Sequence, residues 1–268
     1  MKKLLMALMI TTIVMGITTI TACKKGGLNF FSIEDDKNFG AQMEAEIAAN
    51  PGQYPLLNQT QYASAYQYLE NMKQQIISSG QLQNADKFVW KLYIVQDDNT
   101  LNAFCTPGGY IYVYTGLIKY LDNASSLAGV LGHEMAHADR RHSTQQLTQQ
   151  YGFSILMDVL LGKNQSVLTD IAANLSLLAF SRSHETDADK HSVLYLCPTQ
   201  YRADGAADFF QKIVDSGAQN PPQFLSTHPN PDNRIQNIHK HKDDSGCTGS
   251  PTAQVELTGY AAFKASLP

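Results

Sequence analysis

The sequence is poor in the devices that hold anionic polymers. Its 20 Lys and Arg are outnumbered by 24 Asp and Glu, giving a net charge of −4. That balance invites neither nucleic acid nor an anionic membrane surface. Cysteine is scarce, with four in 268 residues. No period of roughly 20 to 50 residues recurs, which excludes a solenoid or propeller. Long apolar runs are nearly absent beyond the N-terminus. The stretch 153–180 is apolar, but Asp158, Lys163 and Asp170 interrupt it. It is too broken to span a bilayer and is expected in the core.

What is present begins at the N-terminus. Lys2 and Lys3 precede an uncharged segment, 4–22, that closes on Ile20-Thr21-Ala22-Cys23. A basic start, an apolar stretch and small residues at its end make a secretory signal. Its closing order resembles the bacterial lipoprotein signal. That resemblance implies removal of residues 1–22 and acylation of Cys23, followed by a tether over 23–33. An uncleaved anchor is the plainer alternative, since 19 uncharged residues just span a bilayer. Cleavage leaves 246 residues, enough for a single domain over 34–268. It also leaves 18 basic against 24 acidic side chains, a net of −6, so membrane attachment is expected through lipid rather than charge. Disulfides persist in an exported protein. Cys197 and Cys247 flank the C-terminal segment and are the expected pair, with Cys105 left free.

Apolar spacing at Phe39, Met43 and Ile47 predicts a helix over 34–50, stopped by Asn50-Pro51-Gly52. A second helix is expected over 59–79. The β-branched and aromatic run 87–96 reads as a strand. A hairpin follows over 102–116, turning at Pro107-Gly108-Gly109. Helical patterning then holds from Ser125 to about Leu196, with breaks near Gly152 and over 162–164. One more helix is expected over 203–214, and the stretch 224–235, FLSTHPNPDNRI, reads as a loop. The fold class is α+β, a small sheet beside a helical bundle.

Chemistry concentrates in HEMAH, residues 133–137. At ~100° per residue, His133 and His137 fall within ~40° of each other on one helix face. Two imidazoles so placed can share one zinc ion, with Glu134 beside them as a base. Asn123 or Ser125 offers the N-cap, and Leu127, Val130 and Leu131 lead in as an apolar run. Polar groups directly after that run need partners if they are buried. Zinc needs a further ligand. The metzincin pattern would place glycine and histidine where this chain has Arg140 and Ser143, which excludes that class. A distant carboxylate remains, and SRSHETDADKHS offers Glu185 and Asp189 at i, i+4. Spacing alone does not choose between them.

Four segments in this order, NAFCTPGGYIYVYTGL, HEMAHADRRH, SRSHETDAD and STHPNPDNRI, resemble the M48 family of zinc metallopeptidases, in particular its exported bacterial lipoproteins. The resemblance runs from about Ile33 onward and implies a zincin-like domain. It implies one Zn2+ per chain on His133, His137 and Glu185, with Glu134 as catalytic base. Asp189 would fix the tautomer of a ligand histidine. His228 would lie near the metal, either donating to the oxyanion, the slightly favoured role, or covering the open zinc position at rest. Arg234 would assist it or pair with a carboxylate. The edge at 102–104 would bind substrate backbone as an added strand. His142, His184, His191, His239 and His241 have no ligand spacing and read as structural or solvated. The implied function is a zinc endopeptidase of the bacterial envelope, acting on protein or peptide substrates in quality control. The alternative is an envelope chaperone or assembly factor that uses the same fold without hydrolysis. Nothing in the sequence sets the oligomeric state.

Overall fold

A capping box opens the first helix, α1 (Ile33–Ala49): Ser32 accepts from the Asp35 backbone N–H, and the Asp35 carboxylate accepts from the Ser32 N–H. The computed structural model describes residues 29–217, 222–229 and 233–268. The expected signal segment, Cys23 and most of the tether lie outside the described residues. After α1 come α2 (Ala63–Ile77), β1 (Lys91–Val95), β2 (Ala103–Thr106), β3 (Tyr110–Tyr114), α3 (Thr115–Tyr120) and α4 (Ala124–Asp139). Then follow α5 (His142–Tyr151), α6 (Phe153–Leu160), α7 (Gln165–Asn174), α8 (Arg182–Leu196), α9 (Gly205–Asp215), α10 (Gln223–Thr227), α11 (Arg234–Asp244) and α12 (Gly259–Ala265). No described helix is long and apolar enough to cross a membrane. The architecture is mostly helical with one three-stranded sheet.

In the sheet, β3 pairs antiparallel with β2 and parallel with β1. The β2–β3 turn places Gly108 and Gly109 at φ +79° and +90°, a region side chains avoid. Successive side chains alternate faces. Leu92, Ile94, Ala103, Cys105, Ile111 and Val113 therefore enter the core that holds α4, α8 and α9. Phe104, Tyr110, Tyr112 and Tyr114 face a second core against α1, α6 and α7. Both faces are covered, so every residue of β2 and β3 is buried.

Every residue of α4 is buried as well. Its approach to α9 depends on a pair of glycines. A Cβ on Gly129 would stand 2.1 Å from the Ala206 backbone nitrogen, and one on Gly205 would stand 1.9 Å from the Ser125 carbonyl oxygen. A methyl group at either position would force the two helices apart.

Two expectations change. The stretch 153–180 is only half core. Leu156, Val159, Leu168, Ile171 and Leu175 pack inward, while Phe153, Ile155, Leu161 and Leu177 are exposed. Short surface helices bury one stripe and leave the rest in water. The stretch 224–235 is not a plain loop either. Phe224, fully packed, anchors α10, and Asn233, in the left-handed region at φ +59°, launches α11. Pro229, just past α10, cannot continue that helix but leaves it intact.

A disulfide joins Cys197 to Cys247, 50 residues apart with a Cα–Cα distance of 5.1 Å, and Cys105 is buried and free. The link ties the end of α8 to the chain just past α11. Closing a loop of that size restricts the unfolded chain by about 4 kcal/mol in the entropy model.

Candidate metal centre

The site grows from the cap of α4. The Asn123 side chain accepts from Ser126 N–H, fixing where the helical count begins. Ten residues on, that count brings His133, Glu134 and His137 to the buried end of the helix. A second cap sets the facing helix. Ser181 accepts from His184 N–H and starts α8, which carries Glu185 and Asp189 one turn apart on one face.

The two helices bring their side chains to one point. His133 Nε2 and His137 Nε2 are 3.0 Å apart. Glu185 Oε1 lies 3.2 Å from His137 Nε2, and its Oε2 lies 3.3 Å from His133 Nε2. His228, just past α10, brings Nδ1 to 3.1 Å from Glu185 Oε1 and 3.3 Å from His133 Nε2. Donor atoms of His133, His137, Glu185 and His228 all lie within 4.8 Å of one another, and all four residues are buried. Such an arrangement can hold a metal ion.

Beyond the cluster, Asp189 Oδ1 is 2.9 Å from His133 Nδ1, the ring nitrogen facing away from the other donors. Arg234, at the start of α11, donates through Nε and Nη2 to the two Asp189 oxygens at 2.7 Å each. The same Nη2 lies 3.0 Å from Glu185 Oε2. Its guanidinium also sits 3.9 Å over the Phe210 ring. Neither carboxylate oxygen of Glu134 accepts a hydrogen bond from the described residues, and His228 Nε2 is 3.4 Å from Oε1.

The charges do not balance. Glu134, Glu185 and Asp189 are buried, and among the described residues Arg234 is the permanent cation beside Glu185 and Asp189. Burial opposes a charged His133, but Glu185 and Asp189 outweigh it and raise its pKa to about 9. Burial likewise opposes charge on Glu185, yet His228, His133 and His137 hold it well below the usual range. Burial pushes Glu134 upward, restrained by His228 and His133. Burial drives His137 well down. The centre therefore calls for added positive charge.

The remaining histidines divide. His239 is half exposed beside Asp204. His191 bonds the Asp187 carbonyl within its own helix. His142 is structural rather than solvated: it is buried, with its Nδ1 3.2 Å from His137 Nδ1. It follows His137 by five positions, which no single helix face explains. Arg141 adopts φ +63° between α4 and α5, and that reversal returns His142 to the site. Cys105 lies near the centre but burial raises its pKa well above the usual thiol range, so it is no ready thiolate.

Comparison with known proteins agrees with this geometry. Residues 63–242 match the family model described as peptidase family M48. The chain is 35% identical over 144 residues to the mitochondrial metalloendopeptidase OMA1 of Arabidopsis thaliana, covering 52% of this chain and 29% of that protein. It is 27% identical over 184 residues to the beta-barrel assembly-enhancing protease of Yersinia pestis, covering 63% and 37%. Against OMA1 of Schizosaccharomyces pombe it is 25% identical over 222 residues, covering 79% and 62%. The matched region thus spans less than two thirds of each of these relatives. With the family match extending over more than half of its length, and the histidines and glutamate of the buried cluster inside that match, the chain belongs to peptidase family M48.

Proposed function

We propose that this protein is a zinc-dependent endopeptidase of the bacterial cell envelope, with residues 34–268 as its catalytic domain and protein or peptide chains as substrates. One observation carries the reading: a buried His133, His137 and Glu185 cluster beside a Glu134 carboxylate that accepts no hydrogen bond from the described residues. The donor set fits zinc, since two imidazoles and a carboxylate are a familiar ligand combination for a catalytic site. The excess buried negative charge suits a divalent cation.

His133, His137 and Glu185 would hold the ion. Bound there, zinc supplies Lewis acidity toward a water molecule and a peptide carbonyl. Glu134 takes the proton from the attacking water at a carboxylate oxygen and returns it to the leaving amine. Burial strengthens it as a base. Asp189, accepting from His133 Nδ1–H, leaves the Nε2 lone pair for the ion. Export with lipid attachment at Cys23, and a place in envelope quality control, complete the reading. The N-terminal segment supports the first, and the name of the Yersinia relative supports the second.

Purified protein should contain about one zinc per chain and cleave an unfolded protein such as casein, with cleavage lost to a chelator and restored by zinc. Fatty-acid labelling should depend on Cys23. Zinc-free protein, or His133→Ala protein that binds zinc as wild type does, overturns the metal assignment. Zinc-loaded protein that suppresses aggregation of unfolded chains and cleaves none of them moves the reading to an envelope chaperone.

His228 has two candidate roles with effects of opposite sign. A donor to the developing oxyanion, when removed by His228→Ala, lowers turnover by about 10²–10³-fold with zinc retained. A resting fourth ligand, when removed, raises turnover or speeds zinc exchange. The place of Nδ1 among the donor atoms supports the second role. Steady-state kinetics with zinc-exchange rates separates them, and a variant unchanged in both leaves His228 with neither.

A further inference from the structure

His133 has a carboxylate behind it, but His137 does not. The nitrogen of His137 facing away from the cluster, Nδ1, meets Nδ1 of His142 at 3.2 Å. The other nitrogen of His142, Nε2, lies 3.3 Å from Asp187 Oδ2. We propose that His142, oriented by Asp187, is a positioning residue that fixes the ring and tautomer of His137, so that His137 offers its Nε2 lone pair to the metal. The inference rests on the zinc reading of the site.

Hydrogen-bond logic supplies the argument. The Asp187 carboxylate only accepts, so the proton on a neutral His142 sits on Nε2. Nδ1 of His142 is then a lone pair and needs a donor. The atom within reach is His137 Nδ1, which must therefore carry a hydrogen. A neutral imidazole has one N–H, so His137 Nε2 is left bare, pointing toward His133 Nε2 and Glu185 Oε1. Every link leads to the tautomer a metal requires.

The chain is also held mechanically. Arg140 donates through Nε to Asp187 Oδ2 at 2.9 Å. The His142 ring stacks on His184, with centroids 4.4 Å apart and planes 11° from parallel. On the far side, Phe180 stacks on His137 at 3.8 Å. His142 is buried at 5% exposure, so water does not readily replace it as acceptor. The two ligand histidines thus have unlike supports, a carboxylate for His133 and a carboxylate acting through an imidazole for His137.

The test is zinc affinity, measured by competition with a chromogenic chelator on full-length protein. His142→Phe keeps a ring to stack on His184 but removes both nitrogens. It should weaken zinc binding by about 10–100-fold. His142→Asn places an amide oxygen near the former Nδ1 and should recover most of that loss. Nitrogen-15 NMR of metal-free wild type should show His137 protonated at Nδ1, a readout that folding of the variants does not affect. His142→Phe protein with wild-type affinity overturns the proposal. So does equal weakening in both variants, which would mean packing alone, and so does a His137 protonated only at Nε2. Wild-type protein that binds no zinc would instead defeat the zinc reading, and the NMR result would still decide the hydrogen-bond chain.

Discussion

Glu134→Gln is expected to lower peptide hydrolysis by about 10²–10⁴-fold while leaving fold and zinc content unchanged. Glutamine keeps the length and planarity of the side chain but cannot accept the proton of an attacking water. The site tolerates it because neither Glu134 oxygen is committed to a structural hydrogen bond among the described residues. A neutral group at that place also relieves burial, which already pushes the carboxyl upward. The variant should therefore be at least as stable as wild type before zinc is added. Cleavage assays with metal analysis decide the matter. Loss of zinc in the variant would make Glu134 a ligand, and undiminished cleavage would remove it from the mechanism.

Arg234→Met should destabilise the metal-free protein by about 3–5 kcal/mol, the usual penalty for breaking a buried ion pair from one side. Methionine retains an apolar stem over Phe210 but deprives Asp189 of both its Arg234 hydrogen bonds and Glu185 of a cation 3.0 Å away. Protonation of one carboxyl limits the loss, so the effect should shrink as pH falls. The sign follows from Asp189 itself: burial opposes its charge, yet Arg234 and His133 hold its pKa below the ordinary value. A carboxyl lowered on folding contributes stability above its unfolded pKa, and that contribution disappears as the pH falls through the folded value. Saturating zinc should restore part of the loss, because the ion supplies charge to the same carboxylates. Urea midpoints with and without zinc test this. A metal-free midpoint unchanged from wild type would mean that Arg234 contributes nothing to the charge balance.

What could be read from the sequence followed periodicity. HEMAH lies on one helix with a clear cap, so its geometry was implicit in spacing. The hairpin carried its turn residues, and Tyr110, Tyr112 and Tyr114 alternate with Ile111 and Val113 along β3. Spacing did not choose between Glu185 and Asp189, because one helix face presents both, and the family resemblance carried that choice. The structure separates them by distance. Glu185 reaches both Nε2 atoms, while Asp189 stands behind His133. The reach of His142 to His137 was not legible because the left-handed Arg141 breaks the helical count that any periodic argument relies on. The parallel pairing of β1 with β3 escaped too, since its partners are non-adjacent strands with no turn between them to fix register.

The spread of the site along the chain has a consequence for its assembly. His133 meets His228 from 95 positions away and Arg234 from 101. Closing loops over such spans costs entropy that only the finished contacts repay. The chain as far as α8 already carries His133, His137 and Glu185. It lacks the guanidinium that neutralises Asp189 and Glu185. Structural metal affinity is folding free energy, and a half-formed site captures little of it. The charge-balanced centre is therefore complete only when the chain beyond α8 has packed against it. A copy cut short after α8 would keep these ligands but lack the cation that balances them.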